Sequence, residues 1–281
     1  MSSMKKLYLI LIFLIVFNLL GSQVYASNYD QLGMAVYTDN LANLKELLAN
    51  GADPNSKDFD GTTILHTAAY FGNPESIELL LNYGADINAE DKDGETVLMW
   101  AAANSAEVVK LFLENGADIN AKSNNGSTAL MRAAIMGDAE TINTLIEAGA
   151  DLKVKDDNEN TLLMQAAVNS PEAVKIFLDN GADVNAKNDT GNTALMNAAS
   201  VGDFEIVKIL IDNGAKIRDK NKFGVSVLMN AAFSSAEVVS LLIEGGADVN
   251  AQSMVGYSAL DYAEMGEQEE IINILREAGA K

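Results

Sequence analysis

Cysteine is absent from the sequence. That excludes disulfides, thiolate metal centres, cysteine nucleophiles and a lipid-carrying N-terminal cysteine. Histidine occurs once, at His66, so no pair of histidines can hold a metal within one chain. Positive charge is scarce: 19 Lys and Arg stand against 40 Asp and Glu, a formal charge of −21. Such a chain repels nucleic acid, which disfavours DNA or RNA binding. Long apolar runs are missing too. The longest, Leu7 to Leu20, is interrupted only by Tyr8 and Asn18 and falls short of the roughly 20 residues a membrane-spanning helix needs. Hydrophobic residues still make up 48% of the chain, enough for a buried core.

The first segment separates from the rest. Lys5 and Lys6 precede the apolar run, and Gly-Ser-Gln-Val-Tyr-Ala follows it. A basic start, a short apolar stretch and a Val-x-Ala site predict a signal peptide over residues 1–26, cleaved after Ala26. The alternative is a retained membrane anchor. Cleavage removes two lysines and no acids, leaving 17 positive against 40 negative residues, or −23. The expected location is the periplasm or the exterior of the cell, with no stable membrane insertion once the segment is removed.

Self-similarity dominates what remains. Gly-Ala-Asp begins at Gly51, Gly84, Gly116, Gly149, Gly181 and Gly246, and Gly-Ala-Lys stands at Gly214 and Gly279. The spacing alternates between 33 and 32 residues, the mark of one stacked supersecondary unit. A second motif runs in phase: GTTILHTAA from Gly61, GETVLMWAA from Gly94, GSTALMRAA from Gly126, ENTLLMQAA from Glu159, GNTALMNAA from Gly191, GVSVLMNAA from Gly224 and GYSALDYAE from Gly256. Between copies lie amphipathic helical stripes such as Ile206, Val207, Leu210 and Ile211, each closed by a glycine suited to a helix end. The 33-residue units carry Gly72, Gly137 or Gly202 between their helices. The 32-residue units have Asn104-Ser105, Asn169-Ser170 or Ser234-Ser235 there, residues that cap a helix directly. The repeating entity is therefore a pair of units.

These motifs resemble the ankyrin repeat, over roughly residues 30–281. The resemblance implies an all-α solenoid of stacked helix-turn-helix units joined by short β-turn fingertips. The expected division is a capping helix pair over 27–53, with Asn40 as the cap of its second helix, then seven repeats over 54–281. The last, rich in Glu267, Glu269, Glu270 and Glu277, serves as a polar end cap. The implied activity is protein recognition by a monomer without cofactor or catalysis.

The sequence departs from the family pattern in three ways. Proline never follows the repeat threonine. The histidine that ties the family's turn is kept only as His66, with Met99, Met131, Met164, Met196 and Met229 in its place, so those turns are expected to be looser. Glu159 replaces a fingertip glycine, and a distorted turn is expected over Asp156 to Asn160.

Candidate chemistry is sparse. Asp58-Phe-Asp60-Gly61 and Asp91-Lys-Asp93-Gly94 look like half calcium loops, but the flanking ligand positions are wrong. The methionine row suits either soft copper(I) and oxidation chemistry or plain core filling, and filling is favoured. The implied binding face is the concave one. The residue ahead of each alanine pair points into it, in the order Thr67, Trp100, Arg132, Gln165, Asn197, Asn230 and Tyr262. Phe59, Tyr70, Phe71, Trp100, Arg132 and Gln165 form the expected contact site for another protein, with basic character expected in that partner. Further fingertip candidates are Phe223, Met254 and Tyr257.

Overall fold

A computed structural model describes residues 28–136 and 138–281. The expected signal peptide over residues 1–26 and the inter-helix glycine at 137 lie outside the described residues. The chain forms sixteen described helices in two stacks. The inner stack is α1 (Asn28–Tyr37), α3 (Ile64–Phe71), α5 (Val97–Ala102), α7 (Ala129–Met136), α9 (Leu162–Ala166), α11 (Ala194–Val201), α13 (Val227–Ala231) and α15 (Ala259–Met265). The outer stack is α2 (Leu41–Ala49), α4 (Pro74–Asn82), α6 (Ala106–Glu114), α8 (Ala139–Glu147), α10 (Pro171–Asp179), α12 (Phe204–Asp212), α14 (Ala236–Glu244) and α16 (Glu269–Glu277). Each inner helix packs on the next, and each pairs with the outer helix that follows it.

Local chemistry fixes the helix ends. The repeat Thr or Ser accepts the backbone N–H three residues on, as Thr96 does from Met99 and Ser226 from Met229. Asn40 caps α2 by accepting from Asn43, and Ser105, Ser170 and Ser235 cap outer helices of the shorter units. The missing residue of those units shortens the inner helix: α5, α9 and α13 have 6, 5 and 5 residues, against 8 each in α3, α7 and α11. Gly72 and Gly202 end α3 and α11 at φ 66° and 83°, a conformation that costs a side-chain-bearing residue about 1 kcal/mol.

Packing is continuous from end to end. The paired alanines (Ala68 and Ala69, Ala101 and Ala102, Ala133 and Ala134) are fully buried, which lets adjacent inner helices close together. The five methionines of the row are each about 1% exposed. They fill the core between repeats. No repeat buries its own apolar face, so stability resides in the stacking.

Two hydrogen-bond ladders bind the stack outside the core. At the fingertips, Lys92 N donates to Asp60 O, Asn124 N to Asp93 O, Asp157 N to Asn125 O, Asp189 N to Asn158 O, Lys222 N to Thr190 O and Met254 N to Phe223 O, all at 2.8–3.0 Å. Beyond the outer helices an asparagine ladder runs. Asn55 accepts from Asp86 N at 2.7 Å and donates to Gly84 O at 2.9 Å, and Asn185 repeats the arrangement with Lys216 N and Gly214 O. Two rungs lack asparagine: Lys153 makes neither bond, and Arg218 keeps only the donation, from Nε to Gly246 O at 2.7 Å.

The fingertip at Asp156 corrects the expectation of distortion. Glu159 does hold φ 62°. Its N–H donates to Asp156 O at 2.9 Å, and Asp156 Oδ1 accepts from Asn158 N and Asn160 N at 2.9 and 2.8 Å. The turn at Asp91 has the same bonds with Gly94 in that place. A side chain is accommodated because the strain is confined to one dihedral, while five hydrogen bonds and the neighbouring fingertip hold the loop. The methionine-bearing units also keep their capping bond. What they lack is the histidine's reach into the next repeat.

Candidate functional site: the concave face and its aromatic residues

Seven inner-helix residues line one column: Thr67, Trp100, Arg132, Gln165, Asn197, Asn230 and Tyr262. Each is partly exposed while its neighbours on both sides in the helix are buried, except Asp261 beside Tyr262. The helical period explains this, since one position per unit turns away from the adjacent helices toward the groove. Three residues on, one helical turn further, runs a second column. It contains Tyr37, Tyr70, Ala103, Ile135, Val168, Ser200, Phe233 and Met265.

Where both columns are aromatic the rings join. Tyr37 meets Phe71 edge-on at 5.3 Å between centroids, Phe71 meets Tyr70 at 5.3 Å, and Tyr70 meets Trp100 at 6.1 Å. Such contacts contribute about 0.5–1.5 kcal/mol each beyond the area they bury. Tyr70, Phe71 and Trp100 are thus brought together, and each remains half-buried. Tyr37 extends the chain into the first helix pair. Beside it a cleft of 510 Å³ opens, with Tyr37, Phe71, Asp39 and Glu75 in its wall. Phe59 stands apart on its fingertip, 95% exposed.

The polar candidates are already engaged within the array. Arg132 forms an ion pair with Glu95 of the preceding repeat. Gln165 donates to Asp156 Oδ2 at 3.2 Å, and Asn197 donates to Met164 O at 3.1 Å, tying its helix to the one before.

His66 is fully buried below Trp100, with ring centroids 5.4 Å apart. Its Nε2 lies 3.0 Å from Glu95 O, which can only accept, so Nε2 carries the proton. Nδ1 then accepts from the Thr63 hydroxyl at 2.8 Å and from Thr63 N at 3.3 Å. Burial pushes the imidazole pKa down to about 4. The ring is a neutral structural bridge, and the Thr63 hydroxyl bonded to it is buried with it. The half calcium loops also have a structural use. Asp58 Oδ1 accepts from Asp60 N and Thr62 N at 2.8 and 2.9 Å, fixing the turn from within.

A second apolar area sits at the other end. Phe223, Met254 and Val255 are 59%, 77% and 74% exposed on adjoining fingertips. On the groove side, Tyr262 meets Phe233 at 5.5 Å and Tyr257 at 6.0 Å. Sequence reasoning missed Tyr37 and Phe233. The signal for both was the register: each lies in the column of Tyr70.

Comparison with known proteins agrees with this architecture. A family model described as ankyrin repeats (3 copies) matches residues 32–123, 90–156, 130–221, 163–253 and 195–281. Among solved structures, the chain is similar to the human ASB11 ankyrin repeat domain, with 26% identity and a TM-score of 0.70. The match covers 78% of this chain and 99% of that one. No curated protein sequence matches. With most of its length matched by the repeat model and its helices stacked in the same way, this chain belongs to the ankyrin-repeat family, whose members are interaction modules.

Proposed function

We propose that this protein is an exported, monomeric and non-catalytic ankyrin array that binds another protein through its concave face and fingertips. The observation that carries the reading is the aromatic chain from Tyr37 to Trp100, half-exposed on rigid helices. Tyr, Trp and Arg are the residue types that dominate interface energies. The groove is ordered by the stacking itself, so little conformational entropy is lost when it is filled. An excess of 23 negative charges in the mature chain steers encounter toward a basic partner.

Export rests on the basic start, the apolar run and the Val-x-Ala site of residues 1–26. The second reading, a membrane-tethered scaffold, draws on the same apolar run being kept. N-terminal sequencing of the protein from its native source separates them: a start at Ser27 supports export, and a start at Met1 supports tethering. Binding is tested by cross-linked capture from the exported fraction with the chain and with a Tyr70→Ala, Trp100→Ala variant. A protein captured by the first and lost with the second supports the reading. Equal capture by both moves the contact to the fingertips or the outer helices.

A further inference from the structure

The two ends of the groove carry the same device. Tyr70 of one repeat meets Trp100 of the next, and Phe233 of one repeat meets Tyr262 of the next. The four residues occupy the same two columns, Tyr70 with Phe233 and Trp100 with Tyr262. Between these pairs neither column is aromatic: the second reads Ala103, Ile135, Val168 and Ser200, and the first is polar. The first reads Arg132, Gln165, Asn197 and Asn230. Asn230 makes no side-chain hydrogen bond among the described residues, although it is half-exposed. Amide side chains offer both a donor and an acceptor, the complement of a peptide backbone.

Charge is also graded along the array. The fingertips of the first two repeats bear Asp58, Asp60, Glu90, Asp91, Asp93 and Glu95 against Lys57 and Lys92. Those of the last two bear Asp219 against Lys220 and Lys222. The fingertips at one end are acidic, while those at the other carry a small positive excess, offset on α15 by Asp261 and Glu264 beside Tyr262.

We infer that the groove holds one extended polypeptide segment by two apolar anchors, the first at Tyr70 and Trp100 and the second at Phe233 and Tyr262. The stretch between the anchors is polar, and a basic end lies over the first two repeats. This rests on the protein-binding reading above and deepens it. Five repeats separate Trp100 from Tyr262. At about 8–10 Å per packed helix layer, the anchors are roughly 40–50 Å apart. An extended chain advances about 3.3 Å per residue, so the ligand's two apolar residues are about 12–15 positions apart. Two anchors on one segment bind more tightly than either alone only when the connecting length matches the span.

Trp100 is the only tryptophan, so its emission reports the first anchor directly. The full chain is titrated with synthetic peptides that carry two phenylalanines separated by 4, 9, 14 or 19 Asn, Ser and Gly residues, with two lysines at one end. The expected result is an affinity maximum at the 14-residue spacer, about tenfold above the shortest. Phe233→Ala with Tyr262→Ala abolishes the maximum and leaves a single-phenylalanine peptide unaffected within twofold. Circular dichroism and the unbound Trp100 spectrum verify that this variant is folded. Phe233→Leu, which keeps an apolar anchor, retains the maximum. Affinity that is flat across spacers overturns the inference. If no peptide binds but cross-linked capture still yields a protein lost with Trp100→Ala, the groove takes a folded surface: the two-anchor inference fails and the protein-binding reading survives. If neither peptide nor protein binds, both fail.

Discussion

Replacing His66 by methionine changes how stability depends on pH, and the structure gives the sign and size. The neutral ring donates from Nε2 to Glu95 O and accepts at Nδ1 from Thr63. A second proton on Nδ1 would face the donors of Thr63, and burial has already lowered the pKa from 6.5 to about 4. Above about pH 6.5 the ring is neutral in both the folded and unfolded chain, and its contribution is complete. Below that, the unfolded chain takes up a proton that the folded chain refuses, so stability falls until the folded pKa near 4 is reached. The whole window corresponds to roughly 3 kcal/mol, and about 2.5 kcal/mol of it is lost by pH 4.5. His66→Met removes the bonds to Glu95 and Thr63, which costs about 1–2 kcal/mol at pH 7. Five other repeats already carry methionine in this slot, each about 1% exposed, so the side chain fits. The variant is therefore less stable than the parent at pH 7 and as stable or more stable at pH 4.5. Urea unfolding followed by Trp100 emission at pH 7.0, 5.5 and 4.5 measures this, because Trp100 lies against the substituted ring. Comparing the two chains cancels the titration of their 40 shared carboxyl groups. A stability gap that stays constant across the three pH values refutes the assignment of His66 as a buried neutral bridge.

Four other outcomes are expected. Glu159→Gly raises stability by about 0.5 kcal/mol in urea. It removes roughly 1 kcal/mol of strain at φ 62° and gives up only an exposed pair with Lys155, worth about 0.5 kcal/mol or less. Gly94→Ala lowers stability by about 2 kcal/mol in the same assay, since a Cβ there would sit 2.9 Å from Asn124 N at a φ of 70°. Lys153→Asn adds a rung to the asparagine ladder with bonds to Gly181 O and Asp183 N, adding about 1 kcal/mol and slowing hydrogen exchange at Asp183; unchanged exchange there counts against the ladder. Finally, mass spectrometry after brief peroxide treatment of the folded chain finds sulfoxide at Met254, which is 77% exposed, and none at Met99, Met131, Met164, Met196 or Met229. Sulfoxide in that row would revive a redox role for it.

The stacking was open to sequence reasoning because each unit repeats the same instruction. A capping Thr or Ser, a run of buried aliphatics, paired alanines and a closing glycine recur at a fixed period, so seven weak local signals become one strong one. Even the difference between 33- and 32-residue units could be traced to a single residue between helices, and the structure adds its consequence, a shorter inner helix. The fingertip at Glu159 went the other way. A single-residue propensity argument pointed to distortion. The turn is determined by Asp156, whose carboxylate accepts two backbone N–H groups, and by bonds to the fingertips on both sides. Those bonds join residues about 32 positions apart and become visible only when the repeats are stacked.

The same distinction governs the site. Which residues line the groove follows from register, and register is periodic, so Trp100, Arg132 and Gln165 could be placed from the motif. What those side chains do follows from their neighbours in the adjacent repeat. Arg132 was expected to offer its guanidinium to a partner, yet it is joined to Glu95 one repeat earlier, and Gln165 is bonded to Asp156 within its own repeat. A bound partner must compete with those contacts at the centre of the groove. At the aromatic ends it meets no such competition, because ring edges and faces stay partly open after the rings have packed on one another. The binding energy of this array is therefore expected at its two ends. That places Phe233 and Tyr262, which no motif singled out as a pair, on the same footing as Tyr70 and Trp100.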